Sequence, residues 1–203
     1  MKIETLTLAM TGASGAPYML RLMQICLQEN LRIQFLCSQP GQIVLGMEST
    51  LKLTGNAQKM QQQLVAYFDA DPSLIHVYAK DQWTSPVASG SSVSDAMVVC
   101  PCTMGSLASI ATGTSENLIH RAADVIIKER KKLILVPRET PYSSIHLENM
   151  LKLSNLGVVI LPPNPGFYQG VNSSDDLVDF VVARILDQLG IDNNISPRWG
   201  SSK

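Results

Sequence analysis

Residues 3–15 read IETLTLAMTGASG. Apolar, β-compatible residues cluster and alternate over residues 3–10, which predicts a strand. Thr11-Gly12-Ala13-Ser14-Gly15 then supplies the small residues of a tight turn, and residues 16–28 carry apolar side chains at helical spacing. The chain therefore opens with a strand, a tight turn and a helix.

The same alternation continues along the chain. Short apolar runs predict buried strands at residues 32–37, 95–100, 132–136 and 157–161. Helical spacing occurs at residues 41–49, 56–68, 104–112, 117–129, 144–154 and 175–189. Strands that alternate with helices predict an α/β protein with one doubly wound parallel sheet and helices on both faces.

The length predicts a single domain with a short C-terminal arm. A chain of 203 residues can bury a substantial core without metals or disulfides. We assign residues 1–190 to the α/β domain and residues 191–203, which are polar and lack periodicity, to the arm. Trp199 favours an arm that covers something over a frayed tail. Residues 84–94, rich in Ser, Gly and Pro, are interpreted as a loop within the domain.

Composition limits the partners and the compartment. A net charge of -1 and a pI near 6.3 lack the basic excess that nucleic-acid binding requires. With 45% hydrophobic and 16% charged residues, part of the surface is expected to meet other subunits, so we predict a homo-oligomer. The N-terminal apolar run is a poor signal peptide and too short for a bilayer. We therefore expect a cytoplasmic protein with no membrane contact.

The spacing of the four cysteines matches neither a disulfide framework nor a zinc site. We expect reduced, buried thiols at Cys26, Cys37, Cys100 and Cys102.

Three loops with polar groups follow buried strands. Ligands of open parallel sheets bind beyond the carboxyl ends of the strands, where helix N-termini attract anions. Residues 11–15 lack the Walker ending and the full dinucleotide fingerprint, which leaves a mononucleotide as the natural candidate. The other loops are Cys100-Pro-Cys-Thr-Met-Gly-Ser106, with two hydroxyls, and Pro137-Arg-Glu-Thr-Pro141, whose arginine can fork onto a phosphate. Each loop alone also fits an ordinary helix cap or a surface ion pair.

The sequence strongly resembles the flavin prenyltransferase family, often called UbiX-type enzymes, almost from end to end. The motifs that carry the resemblance are Gly12-Ala-Ser-Gly15 with Tyr18 and Arg21-Leu22, Ser38 with Glu48, Cys100-Pro-Cys-Thr-Met-Gly-Ser106, Asn117-Leu-Ile-His-Arg-Ala-Ala-Asp124, Lys128-Glu129-Arg130, residues 133–140, Pro162-Pro-Asn-Pro-Gly-Phe-Tyr168 and Arg198-Trp199. Met19 stands where we expected glycine, which leaves the polar contacts intact.

The resemblance implies a Rossmann-like (flavodoxin-like) flavoprotein that assembles as a dodecamer with active sites at subunit interfaces. It implies an enzyme that joins the dimethylallyl group of dimethylallyl phosphate to N5 and C6 of reduced FMN, and whose product, prenylated FMN, serves UbiD-type decarboxylases. By the same resemblance, FMN would be held by Gly12, Ala13, Ser14, Ser38, Thr103, Met104, Gly105, Ser106 and Arg138. The prenyl phosphate would be surrounded by Tyr168, Arg184, Lys128, Arg121, Glu139 and Trp199, and the catalytic groups would be Glu48, Lys128, Glu139 and Ser14.

These residue types suit that chemistry. A monophosphate is a poor leaving group, so its departure needs cationic and hydrogen-bonding groups, here Lys128, Arg121, Arg184 and Tyr168. An aromatic face at Trp83 or Trp199 would stabilise an allylic cation. Closing the new ring at C6 requires a base, and the sequence leaves Glu48, Glu139 and phosphate itself as candidates. The reaction requires no metal.

Other interpretations stay open beside this one. Lys128 also fits a solvated helix end, and Arg184 fits the exposed face of a C-terminal helix. A decarboxylase of the phosphopantothenoylcysteine type would need a catalytic His in the flavin region and an Asn-rich substrate motif, and the sequence offers neither. A non-catalytic FMN-binding subunit and a direct aromatic-acid decarboxylase are weaker alternatives. The sequence leaves open the subunit count, monophosphate against pyrophosphate as donor, the recipient decarboxylase, and whose site the arm covers.

Overall fold

The structure, a computed structural model, describes residues 3–167, 170–198 and 200. Within these residues, six strands alternate with seven α-helices. The strands are β1 (Thr5–Met10), β2 (Arg32–Cys37), β3 (Ile75–Val77), β4 (Ala96–Cys102), β5 (Lys132–Pro137) and β6 (Val159–Ile160). The helices are α1 (Ala16–Gln28), α2 (Gln39–Glu48), α3 (Ala57–Phe68), α4 (Met104–Thr112), α5 (Leu118–Lys128), α6 (Ser144–Asn155) and α7 (Ser174–Leu189), and single 3-10 turns lie at Pro72–Leu74 and Pro86–Ala88.

The strands form one sheet in the order β3-β2-β1-β4-β5-β6, and every neighbouring pair is parallel. The chain builds outward from β1 through β3, returns, and builds outward again from β4 through β6. This is the strand order of the Rossmann fold, whose ligand crevice lies where the order reverses, beyond the carboxyl ends of β1 and β4. The predicted doubly wound parallel sheet is confirmed.

Two apolar layers cover the sheet. Leu6 and Leu8 of β1 belong to the layer that contains α1 and α7, whereas Ala9 belongs with Met97 and Val99 of β4 to the layer of α4 and α5. Successive side chains of a strand point to opposite faces, so each central strand contributes to both layers. Burial on both faces holds the strand ends, and therefore the loops that follow them, in fixed positions.

Most predicted elements match, and the differences have local causes. Helices α1 and α4 and strand β2 begin and end as predicted. Strand β3 was not predicted, because its three residues include the exposed His76 and give too short a pattern. Helix α2 begins earlier than predicted because the Ser38 hydroxyl accepts from the Gly41 N–H at 3.0 Å, and Pro40 suits a first helical turn.

The residues after α7 fold back onto their own domain. Ile191 and Ile195 pack against the apolar layer of α1 and α7. The Asn193 amide donates to Asp187 at 3.2 Å, and Arg198 donates to the same carboxylate at 2.8 Å. Up to residue 198, the segment is therefore attached to its own chain.

Candidate functional site

One threonine ties the loop after β1 to the loop after β4. The Thr11 hydroxyl donates to the Pro101 carbonyl at 2.9 Å and accepts from the Thr103 N–H at 2.8 Å. Thr11 is buried, so water does not compete for this link. The sequence analysis did not select Thr11 as a site residue, although a polar residue directly after a buried strand was the signal that marks this edge.

Arg138 brings the loop after β5 to the same place. Its Nε donates to the Ser14 carbonyl at 3.3 Å, and its backbone N–H donates to the Cys102 carbonyl at 3.2 Å. The three loops selected from the sequence therefore meet at the carboxyl edge of the sheet. Their convergence places a guanidinium beside the turn that follows β1.

Glu48 fills the N-terminus of α1. Its Oε2 accepts from the N–H groups of Gly15 and Ala16, both at 2.9 Å. Burial alone would raise the pKa of the Glu48 carboxyl, but hydrogen bonds from the Ser14 side chain, Gly15 and Ala16, together with nearby Arg138, outweigh burial and lower it. The side chain is therefore an anion at neutral pH. The protein's own carboxylate therefore occupies the N-terminus of α1.

The N-terminus of α4 borders open space at this edge. Thr103 caps it, because its hydroxyl accepts from the Ser106 N–H at 3.2 Å and donates to the Ser106 hydroxyl at 3.0 Å. The Met104 side chain is buried, so only its backbone can face a ligand. A Cβ added to Gly105 would meet no described atom within 4 Å beyond its own helix and chain neighbours. First-turn N–H groups and a positive dipole end beside open space fit the phosphate of a mononucleotide such as FMN.

Gly12 and Ser38 complete the carboxyl edge. A Cβ on Gly12 would overlap Pro40, so the turn after β1 and the start of α2 pack too closely for a larger residue. Gly15 has a φ of +136°, which favours glycine. The Ser38 N–H donates to the Met10 carbonyl at 3.0 Å, which fixes its hydroxyl at the end of β2. Ala13 is buried within this turn.

Glu139 adds an exposed carboxylate next to Arg138. Its Oε1 accepts only a local hydrogen bond within the described residues, from the Thr140 N–H at 3.1 Å. Two further residues selected from the sequence, Tyr168 and Trp199, lie outside the described residues.

Lys128 and Arg121 lie around the loop that precedes β4. Lys128 ends α5 and pairs with Glu129, and a Cβ on Gly90 would lie 2.8 Å from its Nζ. The Arg121 Nε donates to the Ala88 carbonyl at 3.2 Å. Since this loop leads into β4 and α5 leads into β5, Lys128 lies at the amino edge of the sheet.

Arg184 also lies toward the amino edge. The Lys132 ammonium, at the first residue of β5, donates to the Gln188 carbonyl near the end of α7. Arg184 is one helical turn earlier, and its Nη1 donates to Asp187 at 2.7 Å. Arg184 is therefore exposed, as the sequence allowed, but a carboxylate of its own helix holds it.

Ser14 and Glu48 thus lie at the carboxyl edge of the sheet, whereas Lys128 and Arg184 lie at its amino edge. A six-residue strand such as β5 spans about 20 Å, so Lys128 and Arg184 lie on the order of 15 Å or more from Ser14 and Glu48 of the same chain. One chain does not bring the two groups together. A single ligand can touch both only where the carboxyl edge of one copy meets the amino edge of another.

The cysteines and histidines have structural surroundings. The four cysteines are buried and unpaired, as predicted, and burial raises the pKa of the Cys37 and Cys102 thiols to about 12. Burial lowers the pKa of His120, and His146 accepts from the Ser143 N–H at 3.2 Å in the cap of α6. Across residues 3–167, 170–198 and 200, no cluster of three or more His, Cys, Asp or Glu side chains is arranged to hold a metal ion. No helix in the same ranges has the length and apolarity needed to cross a bilayer.

Known proteins resemble the chain over nearly its whole length. A family model described as Flavoprotein matches residues 1–186. The flavin prenyltransferase UbiX of Pseudomonas aeruginosa is 56% identical over 197 residues, which cover 97% of this chain and 94% of that protein. This chain belongs to the flavin prenyltransferase family.

Solved structures agree with membership in the flavin prenyltransferase family. A dodecameric FMN-dependent UbiX-like decarboxylase from Escherichia coli O157:H7 matches with a TM-score of 0.84 and 39% identity, over 97% of this chain and 100% of that one. AnUbiX (PadA1), solved with FMN and dimethylallyl pyrophosphate, matches with a TM-score of 0.87 and 35% identity over 100% of both chains. A PPC decarboxylase mutant, with a TM-score of 0.58 and 18% identity over 81% of this chain and 84% of that one, shares the fold alone.

Proposed function

We propose that this protein transfers the dimethylallyl group of dimethylallyl phosphate to N5 and C6 of reduced FMN and releases prenylated FMN. The observation that carries the proposal is the full-length likeness to a chain solved with FMN and dimethylallyl pyrophosphate. The open N-terminus of α4, beside Arg138 and the turn after β1, supports FMN as the ligand of the carboxyl edge.

The FMN phosphate and ring would be held by the carboxyl-edge residues. The first turn of α4, from Met104 to Ser106, offers N–H groups and a hydroxyl to the phosphate, and Arg138 offers a guanidinium fork. The remaining contacts come from Gly12, Ala13, Ser14, Ser38 and Thr103. Reduced FMN, when bound, supplies the nucleophilic N5 and C6 atoms.

The prenyl phosphate would be held by cations from neighbouring copies. In the transfer, the bond between the allylic carbon and the phosphate oxygen breaks, and its electron pair leaves with the phosphate. Lys128, Arg121 and Arg184 would neutralise that leaving charge, with Tyr168, Glu139 and Trp199 nearby. Because Lys128 and Arg184 lie at the amino edge, they would reach the FMN of another copy.

Glu48 is best suited to act as a fixed negative charge. It accepts three hydrogen bonds, from Ser14, Gly15 and Ala16, and these lower its pKa, so it is a weak proton acceptor. A fixed carboxylate near the allylic carbon would stabilise positive charge as the phosphate leaves. N5 would bond to the allylic carbon as the carbon–oxygen bond breaks. Ring closure would then add a proton to the prenyl double bond while its tertiary carbon bonds to C6, and C6 would lose its own proton. The departing phosphate and Glu139 remain as the groups that can deliver and accept these protons.

We propose that copies of this chain assemble as a dodecamer through apolar faces that flank the site. On α2, which carries Glu48, Ile43 is 59% exposed and Met47 is 79% exposed, one turn apart. Helix α6, which follows the Arg138 loop, exposes Ile145, Leu147 and Leu151. Exposed apolar side chains grouped on helix faces favour contact with a second protein surface. The dodecameric relative supports a second copy of this chain as that surface.

We further propose that residues 1–190 act as the FMN-binding domain and that residues 191–203 act as an arm. The product would pass to a UbiD-type decarboxylase. The four unpaired, buried cysteines support a location in the reducing cytoplasm.

Anaerobic incubation of the purified protein with reduced FMN and dimethylallyl phosphate, followed by mass spectrometry of the extracted flavin, tests the function. We expect a flavin heavier by one five-carbon prenyl unit, and parallel incubation with the pyrophosphate compares the two donors. Unmodified FMN with either donor, from protein that binds FMN, would overturn the proposal. Consumption of an aromatic acid without added decarboxylase would instead favour direct decarboxylation.

A further inference from the structure

Asp187, on the last turns of α7, holds two arginines with one carboxylate. Arg184 Nη1 donates to Asp187 Oδ2 at 2.7 Å. Arg198 donates through Nη1 to Oδ2 at 3.1 Å and through Nη2 to Oδ1 at 2.8 Å. Asn193 Nδ2 adds a contact to Oδ1 at 3.2 Å. Helix α7 and the residues that follow it therefore meet at this carboxylate.

The Asp187 carboxylate is shielded, whereas the arginines it holds are exposed. Its side chain is 18% exposed, against 54% for Arg184 and 53% for Arg198. Hydrogen bonds from Arg198 outweigh burial and lower the pKa of Asp187. A shielded carboxylate with two cationic partners stays ionised at neutral pH and keeps its side chain in place.

Asp187 fixes Arg184 without using all of its donors. Only Nη1 of Arg184 donates to Asp187, and a guanidinium carries five N–H donors. The remaining donors of Arg184 stay available to a second anion. The i, i+3 pair favours one orientation of the arginine, which reduces the conformational freedom lost when it binds that anion.

The same carboxylate attaches the arm beside Arg184. Ile191 and Ile195 anchor the segment on the domain, and Arg198 fastens it to Asp187. Arg184 and Arg198 therefore occupy one place at the amino edge of the sheet. Any surface that meets this edge meets both.

We propose that Asp187 is a positioning residue for prenyl transfer: it orients Arg184 toward the prenyl phosphate in a neighbouring copy and fastens the C-terminal arm at the same place. This inference rests on the proposed function, because it takes Arg184 as a phosphate contact.

The test compares Asp187→Asn with Asp187→Glu and a matched control. Asp179→Asn, on the same helix, also breaks a two-point arginine pair, since Asp179 accepts from Arg21 at 2.7 and 3.1 Å, but it leaves Arg184 and the arm untouched. We expect Asp187→Asn to raise the KM for dimethylallyl phosphate about tenfold with a smaller change in kcat. Asp187→Glu should return KM to within about threefold of the unmodified protein, and Asp179→Asn should leave it unchanged.

Limited trypsin digestion supplies a readout that does not depend on catalysis. Cleavage after Arg198 removes residues 199–203, and intact-protein mass spectrometry measures its rate. This rate should be several-fold higher in Asp187→Asn than in Asp179→Asn. Equal KM values and equal cleavage rates in the two variants would overturn the inference. If the unmodified protein forms no prenylated FMN, the proposed function fails by itself, and the digestion still decides whether Asp187 fastens the arm.

Discussion

The Glu48 carboxylate accepts a hydrogen bond from the Gly15 backbone N–H at 2.9 Å, which joins the end of α2 to the start of α1. The neighbouring N–H of Ala16 donates to the same oxygen at 2.9 Å. One side chain therefore satisfies a helix end and places an anion beside Ser14. Its structural and chemical contributions can be separated by measuring stability and product formation in the same variant.

Glu48→Gln should strongly reduce prenyl transfer to FMN while FMN still binds. The amide keeps the shape and an acceptor oxygen but loses the negative charge. We expect formation of prenylated FMN to fall by about 100-fold. The FMN dissociation constant should stay within about threefold, since we propose that α4 and Arg138 hold the phosphate. Glu29→Gln, at the far end of α1, is the control, and full activity in Glu48→Gln would remove Glu48 from the chemistry.

The stability contribution of Glu48 should depend on pH in one direction. Its folded pKa lies below the unfolded value, so the contribution is fully present above the unfolded pKa of about 4.3 and is lost as pH falls through the folded pKa. Urea unfolding should find Glu48→Gln less stable by about 1 kcal/mol at pH 7. The difference between the two proteins should shrink below about pH 4. A difference that grows on acidification would contradict the lowered pKa.

Arg138→Ala should weaken FMN binding. The guanidinium joins the loops after β1 and β5, and it is the cation placed beside the open end of α4. We expect the dissociation constant for FMN, measured by flavin fluorescence, to rise about 10- to 100-fold. Arg32→Ala removes an exposed arginine at the amino edge, where Arg32 pairs with Glu4 at 3.6 Å, and should leave FMN affinity unchanged. Equal affinities in the two variants would place the FMN phosphate elsewhere.

The sequence predicted the fold closely because apolar periodicity and turn residues determine it. The two-sided burial of β1, β2, β4 and β5 produces runs dominated by apolar residues, whereas three-residue β3 produces no such signal. The loops that follow β1, β4 and β5 could be selected for the same reason.

The site itself was predicted only in part. Sequence motifs identify residue types, but they do not show that Lys128 and Arg184 lie at the edge opposite Ser14. Glu48 was selected through the family resemblance, but its hydrogen bond from the Gly15 N–H becomes visible only after the chain has folded. Asp187 was not selected, because its partner Arg198 lies beyond the end of α7 and meets it only in the folded chain.

Met47→Glu should disrupt assembly without unfolding the chain. Met47 is 79% exposed, so a charged side chain there should hardly change the stability of an isolated copy. In an interface the same charge would be buried without a partner, which would destabilise the assembly. Analytical ultracentrifugation should show a smaller species, with prenyl transfer reduced. Gln62→Glu, on the exposed face of α3, is the control and should keep the unmodified assembly. An unchanged sedimentation coefficient in Met47→Glu would exclude this face of α2 from the interface.

The most direct measurement is prenylated FMN formation by mixed oligomers of two inactive chains. Glu48→Gln alters the carboxyl edge and Lys128→Ala alters the amino edge. In a random equal mixture, about a quarter of the sites should therefore combine an unaltered carboxyl edge with an unaltered amino edge and be active. Mixed oligomers of Glu48→Gln and Arg138→Ala, both altered at the carboxyl edge, should show no activity beyond that of the two variants measured separately. Recovery in the first mixture alone is the expected result. Failure to recover activity in verified mixed oligomers, or equal recovery in both mixtures, would contradict a prenyltransferase site built from opposite sheet edges of different copies.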